Sequence, residues 1–378
     1  MSKDWKMVKL GDILQSQPKS KIKARTGLSK GLYKFFTSSN IQNKFIDNYT
    51  YNKPALIFGT GGNASIHYCY ELFATSTDCL VFYGKENINI KSVYQYINGN
   101  MHLLEVGFKG AGLKHISKEY ILNIEINLPS IVRQHHIAAT LDKASELIAL
   151  RKKQLEELDV LAESVFYDMF GDPVKNEKGW EIKKLDTVID ILSDYHANGS
   201  YEILRRYVKL LSFGYALMVR TTDLENNEFI NGCNYIDEKA YNFLEKSKIF
   251  GGEIIINKIG SAGKVYLMPN LDKPVSLGMN AFLLRFKSEL ANNIYLFYLL
   301  RSPYGEKIIK ENVKGAVTKT ITKDAVRNLK VSLPPLPLQN RFATTIEKIE
   351  KQKTQVKKAL QESEDLFQRL MQDLFRPN

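Results

Sequence analysis

The chain is predicted to fold as an α+β protein: two mixed α/β lobes separated by two long helices that pair as an antiparallel coiled coil, pseudo-twofold symmetric. Three observations predict this. Residues 108–172 can be laid on residues 313–377 at a constant offset of 205, without a gap. Each copy ends in a heptad seam about 40 residues long. The excess of positive charge sits in the two segments that lie outside those seams. A repeat of this size sets the architecture before any single motif does.

The repeat is read in blocks. Phe108-Lys-Gly-Ala-Gly-Leu-Lys-His-Ile-Ser-Lys-Glu119 falls on Val313-Lys-Gly-Ala-Val-Thr-Lys-Thr-Ile-Thr-Lys-Asp324. Leu128-Pro129 falls on Leu333-Pro334, Gln134 on Gln339, and Asp168-Met-Phe170 on Asp373-Leu-Phe375. The only two tryptophans, Trp5 and Trp180, precede similar runs that end at Leu10 and Leu185, and mark the start of each copy.

The helices follow from spacing. Ile137, Leu141, Ala144, Ile148, Arg151, Leu155, Leu158, Ala162, Val165 and Met169 alternate steps of four and three. The second copy gives Phe342, Ile346, Ile349, Lys353, Val356, Leu360, Ser363, Phe367, Leu370 and Leu374. These are heptad seams, broken once in the first copy and twice in the second. Each follows a proline-bearing stretch, where proline suits a helix start. Phe170-Gly171-Asp-Pro173 supplies a left-handed cap and a stop to the first. Forty residues make a rod of about 60 Å. Two one-sided rods bury their seams most simply against each other; separate docking of each on its own lobe is the competing arrangement.

The lobes read as mixed α/β. Strands are expected at Ala55-Leu-Ile-Phe58, Cys79-Leu-Val-Phe-Tyr83, Gly252-Glu-Ile-Ile-Ile256 and Ala281-Phe-Leu-Leu-Arg-Phe286. Helices are expected at residues 90–97 and 293–300. At 378 residues the chain holds two or three cores. It has no eighteen-residue apolar run and no apolar core at its start, so it is expected to stay in the cytosol without spanning a membrane. Cys69, Cys79 and Cys233 form no CxxC pair and read as reduced packing residues.

Net charge is +12, divided as +7 over residues 1–130, −3 over 131–172, +6 over 173–335 and +2 over 336–378. A polyanion would be gripped by the two lobes and largely ignored by the rods. Each lobe carries a glycine-rich turn after a strand: Gly59-Thr-Gly-Gly-Asn-Ala-Ser65 and Gly260-Ser-Ala-Gly-Lys264. Glycine lets a backbone approach phosphate closely, and Thr60, Asn63, Lys258, Ser261 and Lys264 add donors. The second shared motif sets Lys109 and Lys114, or Lys314 and Lys319, around a glycine turn that leads into Ser117 or Thr322. Those hydroxyls are expected to cap a short helix. Candidate base readers are Asn63, His67, Tyr68, Arg205 and Arg206. Tight hairpins and solvated turns use the same residues, so an ordinary turn remains the competing reading for each.

No catalytic constellation stands out. Phe58-Gly-Thr-Gly61 lacks the acidic partner that a nucleotide ribose wants, and the second copy keeps no such pattern. There is no Asn-Pro-Pro-aromatic tetrapeptide of the kind that holds a target base. Gly260-Ser-Ala-Gly-Lys264-Val has the wrong spacing for a P-loop. His135-His136 at a helix start reads as polar capping rather than a metal site. No cofactor and no metal are expected.

Taken together, the repeated Gly-x(4)-Ile-[Ser/Thr]-Lys-[Glu/Asp] unit, the following Leu-Pro and Gln, Phe170-Gly-Asp-Pro173, Trp180 and Ile259-Gly-Ser-Ala-Gly-Lys264 resemble the specificity subunit of a type I restriction–modification system. The resemblance covers essentially the whole chain. It implies target-recognition domains at 1–127 and 173–332, with conserved helical regions at 128–172 and 333–378. It implies a non-catalytic, cytoplasmic subunit that reads a bipartite asymmetric site in double-stranded DNA. It further implies docking of two methyltransferase subunits and, through them, restriction subunits. Leu128-Pro-Ser-Ile-Val-Arg-Gln134 departs from the family by lacking a second proline and acidic residues before Gln; Leu333-Pro-Pro-Leu-Pro-Leu-Gln339 is closer. The alternatives are a nonspecific nucleic-acid-binding coiled-coil scaffold and a self-sufficient methyltransferase.

Overall fold

The strand that follows each tryptophan closes its lobe by pairing with the strand that leads into a rod. Trp5–Lys9 runs antiparallel to Glu125–Pro129, and Glu181–Lys184 antiparallel to Lys330–Leu333. The landmark at the start of each copy therefore meets the Leu-Pro landmark at its end. The computed structural model describes residues 5–110 and 112–376. Met1–Asp4 of the N-terminal reading, Ala111 of the lysine-flanked turn and Pro377 at the end of the repeat lie outside the described residues.

By internal contacts the chain divides into two units, residues 1–154 with 356–378 and residues 155–355. In the first, a four-stranded antiparallel sheet has the order Leu14–Ser16, Cys79–Gly84, Ala55–Gly59, Ser65–Cys69. A second sheet orders Lys44–Ile46, Tyr33–Phe36 and Phe73–Thr75, the last two strands being parallel. The second unit repeats both. Ile189–Asp194, Ala281–Phe286, Ile254–Asn257 and Val265–Leu267 form the antiparallel sheet. Asn234–Ile236, Ala216–Val219 and Val275–Leu277 form the other, again with a parallel pair, and Lys248–Ile249 adds a fourth strand. The duplication thus extends through the divergent sequence.

The four expected strands and two expected lobe helices are present, the helices as Ile90–Gly99 and Asn293–Arg301. Strand residues Leu56, Phe58 and Phe82 pack with Ile97, Ile121 and Ile126 in the first unit. Ile254, Ile256, Phe282 and Leu284 pack with Leu299 and Val331 in the second. Cys69, Cys79 and Cys233 are buried thiols.

The rods are single helices, Ile131–Phe170 and Leu336–Asp373. Gly171 takes a left-handed φ of +75° after the first, and the Trp180 indole donates to the Phe170 carbonyl at 2.8 Å. Within each unit the two rods run antiparallel. In the first, Ile137 and Leu141 pack with Met371 and Phe375. In the second, Phe166 and Phe170 pack with Phe342. The breaks in the seams are occupied by polar partners. Arg151 donates to the Ala359 carbonyl and the Ser363 hydroxyl, while Lys353 pairs with Asp159 at 2.7 Å and Glu350 at 2.7 Å. A polar layer at a seam position favours one register over its neighbours. No helix among the described residues is long and apolar enough to cross a membrane.

Candidate nucleic-acid interface

The two shared motifs, separate in sequence, form one structure in each unit. Lys109 and His115 pair at the base of a hairpin, exchanging backbone bonds at 3.0 and 2.9 Å. That hairpin docks on the glycine turn: the Gly62 N–H donates to Lys114 O at 3.1 Å and the Ile116 N–H to Thr60 O at 3.2 Å. In the second unit Lys314 and Thr320 exchange bonds at 2.8 Å each. The Gly260 N–H donates to Lys319 O at 3.1 Å and the Ile321 N–H to Lys258 O at 3.0 Å. Thr60 and Lys258, Gly62 and Gly260, Lys114 and Lys319 are therefore structural counterparts.

Glycine is required at two kinds of position here. Gly62 and Gly260 adopt φ of +83° and +80° at the turn. Gly110 and Gly315 adopt +139° and +107°, and an added Cβ would strike the carbonyl oxygens of Leu113 and Thr318. Side-chain-bearing residues seldom adopt such backbone angles. Ser117 and Thr322 cap the helices Lys118–Asn123 and Lys323–Arg327 as expected, accepting from Tyr120 N and Ala325 N.

Placement separates the candidate residues. Lys109, Lys114, Lys314 and Lys319 are exposed along the hairpins, and Asn63 and Ser261 are exposed at the turn tips. The backbone N–H groups of Asn63, Ala64, Ser261 and Ala262 have no partner among the described residues. Free N–H groups beside exposed ammonium groups suit a phosphate oxyanion. Thr60 instead braces the turn. Its hydroxyl donates to Asp78 O at 2.9 Å, and its N–H is shared between Asp78 O and the Ser38 hydroxyl. His67 is bonded to Ser39 O at 2.7 Å and tilted against Phe36; burial pushes its imidazole below the usual value. Tyr68 is half-buried, with Lys91 over its ring. Arg205 and Arg206 are exposed on a separate helix, Tyr201–Tyr207, whose Leu204 packs with Tyr195 and Ala240.

Two lysines of the second turn have internal partners that lie far away in sequence. Lys264 bonds Glu225 at 2.8 Å, and Tyr266 donates to the same carboxylate at 3.0 Å. Those two bonds hold the Glu225 carboxyl below its usual range. Lys258 and Lys323 both reach Asp194, at 3.2 and 2.9 Å, and both lie over the Phe282 ring. Burial alone would raise the Asp194 carboxyl, but the hydrogen bonds from Lys323 and Lys258 outweigh it and hold the group low. Sequence reasoning missed Glu225 and Asp194, 39 and 64 residues from their lysines. A cleft of about 1110 Å³ opens beside this turn, lined in part by Tyr266, Arg301 and Lys310.

The Asp194 knot has a pH signature. A carboxyl whose folded pKa is depressed contributes stability above its unfolded value and loses it as pH falls through the folded value. This contribution is therefore complete above about pH 4 and is lost on further acidification. Asp194→Asn is expected to melt lower than wild type at pH 7 and to show a shallower decline between pH 4 and pH 2. Thermal melts across that range check it; parallel wild-type and variant curves would remove Asp194 from the account.

Among the described residues no group of three His, Cys, Asp or Glu side chains is placed to hold a metal ion. His135 bonds the Asn89 side chain at 2.9 Å, in keeping with a polar role at the start of the rod.

The family model described as type I restriction modification DNA specificity domain matches residues 2–160 and again residues 177–363. The chain is 25% identical to the type I restriction enzyme MjaVIII specificity subunit of Methanocaldococcus jannaschii, over 94% of this chain and 90% of the relative. It is 20% identical to the type I restriction enzyme EcoBI specificity subunit of Escherichia coli, over 90% and 77%. Its fold is similar to the crystal structure of the type I restriction–modification S subunit from M. genitalium, with a TM-score of 0.67 at 15% identity, covering 100% of this chain and 98% of that one. Two copies of one family domain, each with its own glycine turn and hairpin, place the chain in the family of type I restriction–modification specificity subunits.

Proposed function

We propose that each recognition domain, residues 1–127 and 173–332, reads one half of a split, asymmetric site in double-stranded DNA. The rods, residues 128–172 and 333–378, set the gap between halves. The observation that carries this is the recurrence of one hydrogen-bonded turn and hairpin in both units, presenting exposed Lys109 and Lys114 or Lys314 and Lys319. Phosphate contacts from these lysines and the free turn N–H groups supply affinity, while groove contacts near Asn63 and Ser261 supply specificity. Arg205 and Arg206 add a second exposed cationic surface in the second domain. The subunit itself is non-catalytic. It docks two methyltransferase subunits along the rods and, through them, restriction subunits.

The test is a domain exchange. Replacing residues 1–127 with the corresponding domain of another specificity subunit is expected to change one half of the methylated motif and leave the other half and the gap intact. A change in both halves together would sink the two-reader account.

A further inference from the structure

We propose that Gln134 and Gln339 are positioning residues that fix the angle at which each recognition domain is held on its rod, and so restrict the complex to one gap length. The inference rests on the bipartite reading above and deepens it. Its evidence is a single arrangement built twice. Gln134, fourth residue of the first rod, accepts the Asn89 N–H at Oε1 (2.9 Å) and donates from Nε2 to Pro129 O (2.8 Å). Gln339, fourth residue of the second, accepts the Asn292 N–H (2.8 Å) and donates to Pro334 O (2.7 Å). The residue after each glutamine adds an outer bond at 2.9 Å, His135 to the Asn89 side chain and Asn340 to that of Asn292.

Each asparagine is the N-cap of the lobe helix, Ile90–Gly99 or Asn293–Arg301, accepting from Ser92 N or Ile294 N. Each proline carbonyl lies on the lead-in to the rod. One amide therefore ties three things together: the start of the lobe helix, the end of the closing strand and the first turn of the rod. The two glutamines are 2% and 0% exposed, so water cannot replace either bond if the side chain is lost. Only an amide fits, since it must accept at one end and donate at the other. A carboxylate keeps the acceptor alone, and an apolar chain of equal length keeps neither. That explains the repeated glutamine without any contact to DNA.

The functional consequence follows from duplex geometry. Each base pair added to a gap moves the far half-site by about 3.4 Å and turns it by roughly 35° about the axis. A reader fixed rigidly at its root rejects that change, and a reader with a loosened root follows it.

The experiment maps methylated bases in DNA from cells expressing the full-length chain with its methyltransferase partners. Gln134→Met, Gln339→Met and Gln339→Glu are compared with wild type. Wild type is expected to give one split motif with one gap. Each variant is expected to keep both half-site sequences while methylation at gaps one base pair shorter or longer rises about tenfold, corresponding to about 1.4 kcal/mol of lost discrimination. Melting temperatures of the purified chains establish folding. Should the buried variants fail to fold, Asn340→Ala, which removes only the outer exposed bond, carries the test with a smaller rise. A folded variant with the wild-type single gap overturns the positioning role. Absence of any split motif in wild type would instead overturn the bipartite reading.

Discussion

Phe342→Ala is expected to destabilise the unit of residues 155–355 by about 3–5 kcal/mol, the range for deleting a buried aromatic ring. Phe342 is fully buried and meets Phe166 at 5.7 Å, Phe170 at 5.3 Å and Tyr298 at 5.2 Å between ring centroids. Phe170 in turn lies 4.6 Å from Tyr295, whose hydroxyl donates to the Ser332 carbonyl. The ring therefore joins the end of one rod, the start of the other and the lobe helix Asn293–Arg301. Its removal leaves a cavity lined by the rings of Phe166, Phe170 and Tyr298 on two elements, the first rod and the lobe helix, which cannot close without moving one against the other. Urea unfolding followed by circular dichroism should show the loss. Phe367→Ala, at a half-buried position, serves as the milder control. A loss for Phe342→Ala no larger than for Phe367→Ala would show that the aromatic cluster is not the keystone of this unit.

The repeat maps Phe342 onto Ile137, Phe166 onto Met371 and Phe170 onto Phe375, and those residues form the corresponding cluster in the other unit. Positions, not identities, are what the duplication retains. For that reason the rods were legible: a heptad needs only the apolar or polar character of each residue. The four expected strands and both glycine turns were legible because β-branched and aromatic enrichment and turn chemistry are local signals. The seam breaks at Arg151, Lys353 and Ser363 were visible too, but their resolution was not. Arg151 meets Ser363 across 212 residues, a pairing no local pattern encodes.

The site shows the same divide more sharply. Sequence spacing marked Lys258, Lys264 and His67 as cationic or base-reading groups, yet each has an internal partner in Asp194, Glu225 or Ser39. Those partners come from a strand end, the short helix Thr221–Asn226 and a loop, brought close only by the tertiary fold. Likewise the docking of each hairpin on its glycine turn depends on backbone groups, which carry no side-chain signature. The hairpin lysines differ because the backbone folds back on itself there and projects their side chains outward, a geometry set by Gly110 and Gly315 and hence readable from sequence.

That distinction between free and engaged lysines yields the largest expected effect on binding. The double substitution Lys314→Ala with Lys319→Ala should remove two phosphate contacts from the second half-site. Each contact contributes about 0.9 to the slope of log affinity against log salt, so the slope should fall by about 1.8. At 0.1 M salt the same relation gives a loss of about 60-fold in affinity. Because phosphate contacts carry no sequence information, the preferred bases should stay the same. Lys264→Ala is expected to behave differently. Its ammonium group is bonded to Glu225, so its net attraction for phosphate is already offset, and removing it also frees a carboxylate beside the glycine turn. The slope should then change by less than about 0.5, on the same scale of about 0.9 per contact. Titrations of the assembled complex on a duplex carrying its mapped site, between 50 and 200 mM salt, measure both slopes. Equal slopes for the double variant and wild type would mean that the hairpins do not face the phosphate backbone. A Lys264→Ala slope as altered as that of the double variant would mean that the Glu225 pair opens on binding and that the turn, rather than the hairpin, carries the contact.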